Sequence, residues 1–313
     1  MFGFILRRIF ASIPVMFVVT VTIFMLLRLT PGDPASVIAG DNATAEQLAR
    51  IRTQLGLDQP LQQQFFDWMW RLVHGDFGTS IISGTPVTTL IADRIEPTLS
   101  LALATITLSV IVAVPLGALA AARHGTWVDR AVIALSVLGF SIPVFVIGYG
   151  LIQIFAIELR WLPVQGFRSI RDGLAEFGTR MIMPTLALTF LYVALIARIT
   201  RTSLLEVLGE DYIRTARAKG ISERTVFMRH ALRNAAVPII TVIGIGFALL
   251  VSGVVVTESV FNLPGVGRLT IDAVLARDYP VVQAVILLSS LLYVMINLAI
   301  DVIYVLVDPR IRY

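Results

Sequence analysis

Six stretches of this chain are apolar and long enough to cross a lipid bilayer, and the rest of the fold must be arranged around them. A hydrocarbon core of about 30 Å takes roughly 20 helical residues. The stretches run over residues 9–27, 99–122, 131–157, 182–197, 237–257 and 281–306. A bilayer offers no water to backbone N–H and C=O groups, so runs of this length are helices. The fourth is the shortest; it ends at Arg198, and its helix is expected to continue outside the membrane over residues 199–208. Pro14, Pro115, Pro143 and Pro184 fall inside spans. They are expected to kink helices whose freed carbonyls are re-satisfied by neighbours. Composition agrees: 57% of the 313 residues are hydrophobic and 15% are charged, against roughly 25% charged in a soluble domain. The expected fold is an all-α integral membrane protein of about six transmembrane helices. It divides into an N-terminal segment and first span at 1–30, an external loop region at 31–98 and a transmembrane core at 99–313.

Arg7 and Arg8 precede the first run as in a signal peptide, but Arg-Leu-Thr-Pro follows it instead of a small-x-small cleavage site. The run therefore reads as an uncleaved span. One side of the membrane would hold the N-terminus, residues 123–130 and 198–236 and the C-terminal tail, with 14 Lys and Arg against six Asp and Glu. The other would hold 30–98, 158–181 and 258–280, with 10 against 14. Basic connections stay in the cytoplasm, which places both termini and the 198–236 loop there. The one lysine, Lys219, precedes Gly220. No Gly-x-x-x-x-Gly-Lys-Ser/Thr loop exists, so nucleotide chemistry belongs to a partner. The absence of cysteine excludes disulfides, thiolate metal sites and thiol catalysis. No basic block marks a nucleic-acid surface.

The segment 30–98 is too long for a simple connection. Leu61, Phe65, Trp68, Met69 and Leu72 fall on one helical face. Pro60 suits the first turn, and Trp68 and Trp70 suit the headgroup level. The segment reads as a cap on the membrane or as a docking surface for an external partner. In the 198–236 loop, Leu204, Leu205, Leu208, Tyr212 and Ala216 continue a helical stripe. Arg214, Arg217 and Lys219 gather charge about Gly220, and Ser222 is placed to cap a second helix through Val226, Phe227, Ala231 and Leu232. This helix–Gly–helix is either an ordinary surface hairpin or a rigid part that a soluble motor can push. Pro264, Gly265 and Gly267 mark a tight turn in 258–280, either structural or part of an external gate. His74, His124 and His230 stand in connections without a second ligand at metal spacing, and no catalytic set is visible. Glu258 and Asp301 lie near the ends of the last two spans and Asn297 within the sixth. Ionisable groups at that depth face partners or cavities, and structural hydrogen bonding is the favoured role. Gly244, Gly246, Ser252 and Gly253 suit close helix packing or the lining of a path.

Eight segments, in order between the spans, resemble the inner-membrane permease subunits of bacterial peptide-type ABC importers. They are Leu29-Thr-Pro-Gly-Asp-Pro34, Leu55-Gly-Leu-Asp-Gln-Pro60, Gly75-Asp-Phe-Gly-Thr-Ser80, Arg94-Ile-Glu-Pro-Thr-Leu99, Asp211-Tyr-Ile-Arg-Thr-Ala-Arg-Ala-Lys-Gly220, Arg229-His-Ala-Leu-Arg-Asn234, Arg277-Asp-Tyr-Pro280 and Asp308-Pro-Arg-Ile-Arg312. The likeness covers nearly the whole chain and is nearest to the first of the two permeases in dipeptide and oligopeptide systems. The general importer pattern of Glu-Ala-Ala, three residues, Gly, nine residues and Ile-x-Leu-Pro is met only at Ala216, Gly220 and Leu232. The departures follow the peptide branch.

The resemblance implies a type I importer permease fold. It also implies a coupling helix around 212–222, whose Tyr212, Arg214, Thr215, Ala216, Arg217, Lys219 and Gly220 dock on a cytoplasmic ATPase. The implied partners are a second homologous permease subunit, one or two ATPase subunits that bind ATP and magnesium, an external substrate-binding protein and membrane lipid. This chain would then be no enzyme, carry no cofactor and reside in the bacterial inner membrane. Peptides are the implied substrate class, with glutathione, a nickel complex or another small solute as alternatives. An ATP-independent secondary transporter would show charge relays and repeat symmetry, neither of which is clear here.

Overall fold

The computed structural model describes residues 2–29, 35, 44–54 and 56–307. Residues 30–34, Leu55, the segment 308–312 and the C-terminal tail, which entered the reading above, lie outside the described residues.

In chain order among the described residues, α1 (Phe2–Leu29) precedes α2 (Ala45–Gln54) and α3 (Leu61–Val73) of the long connection. A second crossing, α4 (Val87–Ala122), follows, then a pair, α5 (Trp127–Ser141) and α6 (Val144–Glu158), then α7 (Leu174–Leu208). The helix–Gly–helix forms α8 (Asp211–Ala218) and α9 (Glu223–Asn234). The described residues close with α10 (Ala236–Val251), α11 (Val255–Val260), α12 (Val266–Leu275) and α13 (Tyr279–Val307). Among the described residues, α1, α4, α7 and α13 are each long and apolar enough to cross a bilayer. The pairs α5–α6 and α9–α10 bring the number to six if each counts as one crossing.

Four spans differ most from their sequence-based bounds. The second, α4, begins at Val87, twelve residues before the expected Leu99 and inside the segment read as external loop. The third is not one rod: α5 and α6 meet at 95°. Pro143 stands at the break, and Ile142 before it is extended, with φ −96° and ψ 119°. Proline removes a helical N–H and drives its predecessor out of the α region, so Pro143 ends a helix instead of kinking it. Pro14, Pro115 and Pro184 lie inside unbroken helices. The fifth span stops at Val251, short of the expected Thr257, because Gly253 turns the chain at φ +105° with Gly267 packed against it. The fourth is far longer than its apolar run, at 35 residues, and includes the expected 199–208 extension.

The two longest helices, α4 and α7, pack along each other and form the axis of the bundle. Small residues permit this: a Cβ on Gly117 would lie 2.5 Å from the Ala197 carbonyl oxygen, and one on Gly139 of α5 would strike the Ala194 methyl group. Gly244 and Gly246 of α10 similarly face Ile300 and Tyr192. The bundle core includes Leu101, Ile106, Leu188, Ile196 and Leu250. A buried ion pair also joins α5 to α7. Asp129, with 3% of its side chain exposed, accepts from the Arg201 guanidinium, the Gly125 N–H and, at 3.0 Å, meets His124 Nδ1. The periphery is looser. α1 packs on α13, where Arg8 and Asp301 pair, so Asp301 has the structural partner expected of it.

In the long connection, Thr44 and Gln47 form a reciprocal capping box on α2, with Thr44 N–H to Gln47 Oε1 at 3.0 Å and Gln47 N–H to Thr44 Oγ1 at 3.3 Å. Sequence reading missed this helix. The amphipathic face of α3 lies on α1: Phe65 and Trp68 contact Phe24 with ring centroids 5.1 and 5.6 Å apart. Leu61, assigned to that face, is exposed, since it precedes the turn that reaches α1. Pro60 stands at the N-cap, just before the first turn.

Candidate coupling surface

The α8–α9 unit is seated by its own hydrophobic cluster. Ile213 and Ala216 of α8 and Val226 and Ala231 of α9 are buried against Ala121 of α4, Leu204 of α7 and Ile239 of α10. The unit therefore touches the ends of three membrane helices at once. The expected stripe holds at Leu204 and Ala216, both buried, and fails at Tyr212. The helical run breaks at Gly209 and Glu210, where Glu210 is extended at ψ 148°. The new helix turns Ile213 inward and leaves Tyr212 42% exposed. Continuous 3.6-residue periodicity holds only while the helix does.

Gly220 joins the helices at φ +78°, a left-handed conformation that a Cβ opposes. A Cβ there would meet no atom of this chain within 4 Å, so its demand for glycine within the chain is conformational. Ser222 occupies the N-cap position, but its hydroxyl meets Thr225 Oγ1 at 2.9 Å instead of a backbone N–H. The remaining predicted residues line the outer face. Arg214 pairs with Asp211, Arg217 reaches both Glu223 oxygens at 2.8 and 3.3 Å, and the Thr215 hydroxyl donates to the Asp211 carbonyl. Lys219 is exposed and carries no ion pair among the described residues. Exposed ion pairs hold within about 1 kcal/mol, so these arginines are free to exchange their carboxylates for those of a partner.

At the opposite end of the bundle, Pro264, Gly265 and Gly267 wrap a fully buried carboxylate. Glu258 accepts from Thr98 Oγ1 at 2.7 Å and from the Arg268 N–H at 2.8 Å. Thr98 Oγ1 in turn accepts the Val266 N–H at 2.9 Å. A Cβ on Gly265 would strike the Glu258 carboxylate, which is why glycine stands there. Burial raises the Glu258 pKa; the Thr98 hydroxyl and the Arg268 and Gly267 N–H groups oppose that shift. This turn thus ties the α11–α12 connection to α4. Nearby, buried Asp278 accepts from the Ser80 hydroxyl and the Ile81 N–H, fixing the entry of α4 to that of α13. Neither tie was foreseen as a pair; the donors stand 160 and about 198 residues away in sequence.

The sequence matches two family descriptions that share a transport system. Residues 113–313 match the binding-protein-dependent transport system inner membrane component, and residues 1–102 match the N-terminal part of such a membrane component. A probable peptide ABC transporter permease of Sinorhizobium fredii is 56% identical over 310 residues, covering 99% of each chain. The glutathione transport system permease of Escherichia coli K12 is 45% identical over the full length of both. The methionine ABC transporter MetNI, solved in inward-facing conformations, shares the fold with a TM-score of 0.56 at 19% identity, over 71% of this chain and 97% of that one. The all-helical bundle, the seated helix–Gly–helix and these likenesses agree that the chain belongs to the binding-protein-dependent inner membrane component family and is the permease subunit of an ABC importer.

Proposed function

We propose that this permease forms half of a peptide pathway and receives its drive through α8, Gly220 and α9. The observation that carries the coupling role is the way the unit is built: an exposed face set on a buried root that joins α4, α7 and α10. Movement of such a unit shifts three membrane helices together. In this reading a second homologous permease completes the pathway. One or two ATPase subunits bind ATP and magnesium beneath Gly220, and an external binding protein delivers the solute. Both termini lie in the cytoplasm, as the arginine distribution favours. Pro264, Gly265 and Gly267 brace the outer end through Glu258. Peptide is the substrate class of choice because of the 56% identity to a probable peptide permease; glutathione, itself a tripeptide, is the alternative.

The test is uptake of labelled di- and tripeptides, glutathione among them, by cells making the whole transporter with Gly220→Asp in this chain. Uptake is expected to fall at least tenfold while the ATPase still co-purifies. Normal uptake by that variant would remove the coupling role, and a wild-type transporter that carries none of these peptides would remove the substrate class.

A further inference from the structure

A crevice of about 340 Å³ opens between α5 and α7 near the end of the bundle that carries α8 and α9. Its walls are apolar, formed by Ile133, Val137 and Phe140, all substantially exposed. Its rim is basic. Arg198 and Thr202, one turn apart on α7, line it, and Arg201 lies at the back, already satisfied by Asp129. Arg198 is exposed and has no carboxylate partner among the described residues. Arg130 stands just beyond the lining residues, three before Ile133 and seven before Val137 on the same face of α5. It too is exposed and has no carboxylate partner among the described residues. Trp127, 77% exposed and one turn further along that face, marks the level where an amphipathic ring meets the headgroups.

We infer that this crevice binds an anionic phospholipid, its phosphate held between Arg130 and Arg198 and an acyl chain laid along Val137 and Phe140. A guanidinium at the membrane boundary takes phosphate oxygens in a bidentate way. Basic pockets between transmembrane helices select anionic headgroups. The apolar floor beneath the two charges requires a ligand with a tail, which a free anion lacks. Zwitterionic lipids carry the same phosphate but cancel its charge, so the preference follows the net charge of the headgroup.

The assembled transporter, purified in detergent and stripped of lipid, is offered phosphatidylglycerol or phosphatidylcholine of identical chains, and retention is read by native mass spectrometry. Two arginines, each contributing as a surface charge does, predict a preference for the anionic lipid on the order of thirty-fold. The double variant Arg130→Gln, Arg198→Gln is expected to equalise the two lipids. Arg123→Gln, at the C-cap of α4 and not on the α5 face that lines the crevice, is expected to leave the preference intact. Equal retention by the wild type, or a preference that survives the double variant, overturns the site. Displacement of the lipid by inorganic phosphate overturns the acyl part, and a crevice filled by another subunit, with no lipid bound, overturns the whole. If the glutamine pair does not assemble, the lysine pair is expected to keep the preference. The wild-type preference should then weaken as salt rises; one indifferent to salt rejects the inference.

Discussion

Glu258 illustrates what a single residue contributes and how much of it can be read in advance. Its position near the end of an apolar run already marks it as a group in need of partners, but the partners come from α4 and from the backbone past Gly265. Because burial lifts its pKa, the protonated form favours the folded chain. That contribution is complete below the ordinary carboxylate range and is lost as pH rises through the raised value. Glutamine does not titrate. The melting temperature of the purified wild-type transporter is therefore expected to fall, relative to Glu258→Gln, as pH is raised from acid to neutral. A difference that stays constant with pH would show that the carboxyl keeps its charge on folding. Asp129 was less legible. It stands among Arg123, His124 and Arg130 and looks like one more loop acid, yet folding buries it against Arg201, 72 residues later.

At the scale of elements, hydrophobic run length located all six apolar stretches but did not give their direction or continuity. Length and hydropathy say that residues 131–157 avoid water; they do not record that Pro143 turns the helix by 95°. One α8 position was lost in the same way, since a stripe extrapolated across Gly209 put Tyr212 where Ile213 sits, while Ala216 is buried as expected. Helix contacts also depend on absent side chains, and two glycines separate the cases. At Gly139 the obstacle to a side chain is the Ala194 methyl group, whereas at Gly117 it is the Ala197 backbone carbonyl. Overpacking costs about 1–3 kcal/mol. Gly139→Ala is therefore expected to lower the melting temperature and Ala194→Gly to restore part of it, while Gly117→Ala is not rescued by Thr200→Ser. Equal rescue at both sites would mean that α4 and α7 can move apart freely.

At the scale of the whole molecule, the described residues stack three hydrophobic clusters along the bundle. One holds the α4 and α13 entries with α12, the largest fills the bundle, and the third roots α8 and α9. The third turns a surface hairpin into a lever. A hairpin attached only by its two chain ends would flex against the bundle, whereas one rooted in α4, α7 and α10 transmits force to them. Root and face should then separate on mutation. Ile213→Ala removes a fully buried side chain, which costs about 2–5 kcal/mol. It is expected to lower the melting temperature of the assembled transporter and to leave ATPase turnover running without matching uptake. Lys219→Glu reverses a charge on the exposed face and has no ion pair to break among the described residues. It is expected to leave the melting temperature within about one degree, since surface changes of this kind stay within roughly 0.5 kcal/mol, while weakening retention of the ATPase during purification. Thermal denaturation, ATPase turnover, uptake and co-purification, measured on the same preparations, decide it. If Lys219→Glu keeps its ATPase and Ile213→Ala keeps its uptake, the unit is an ordinary surface hairpin and the drive enters elsewhere.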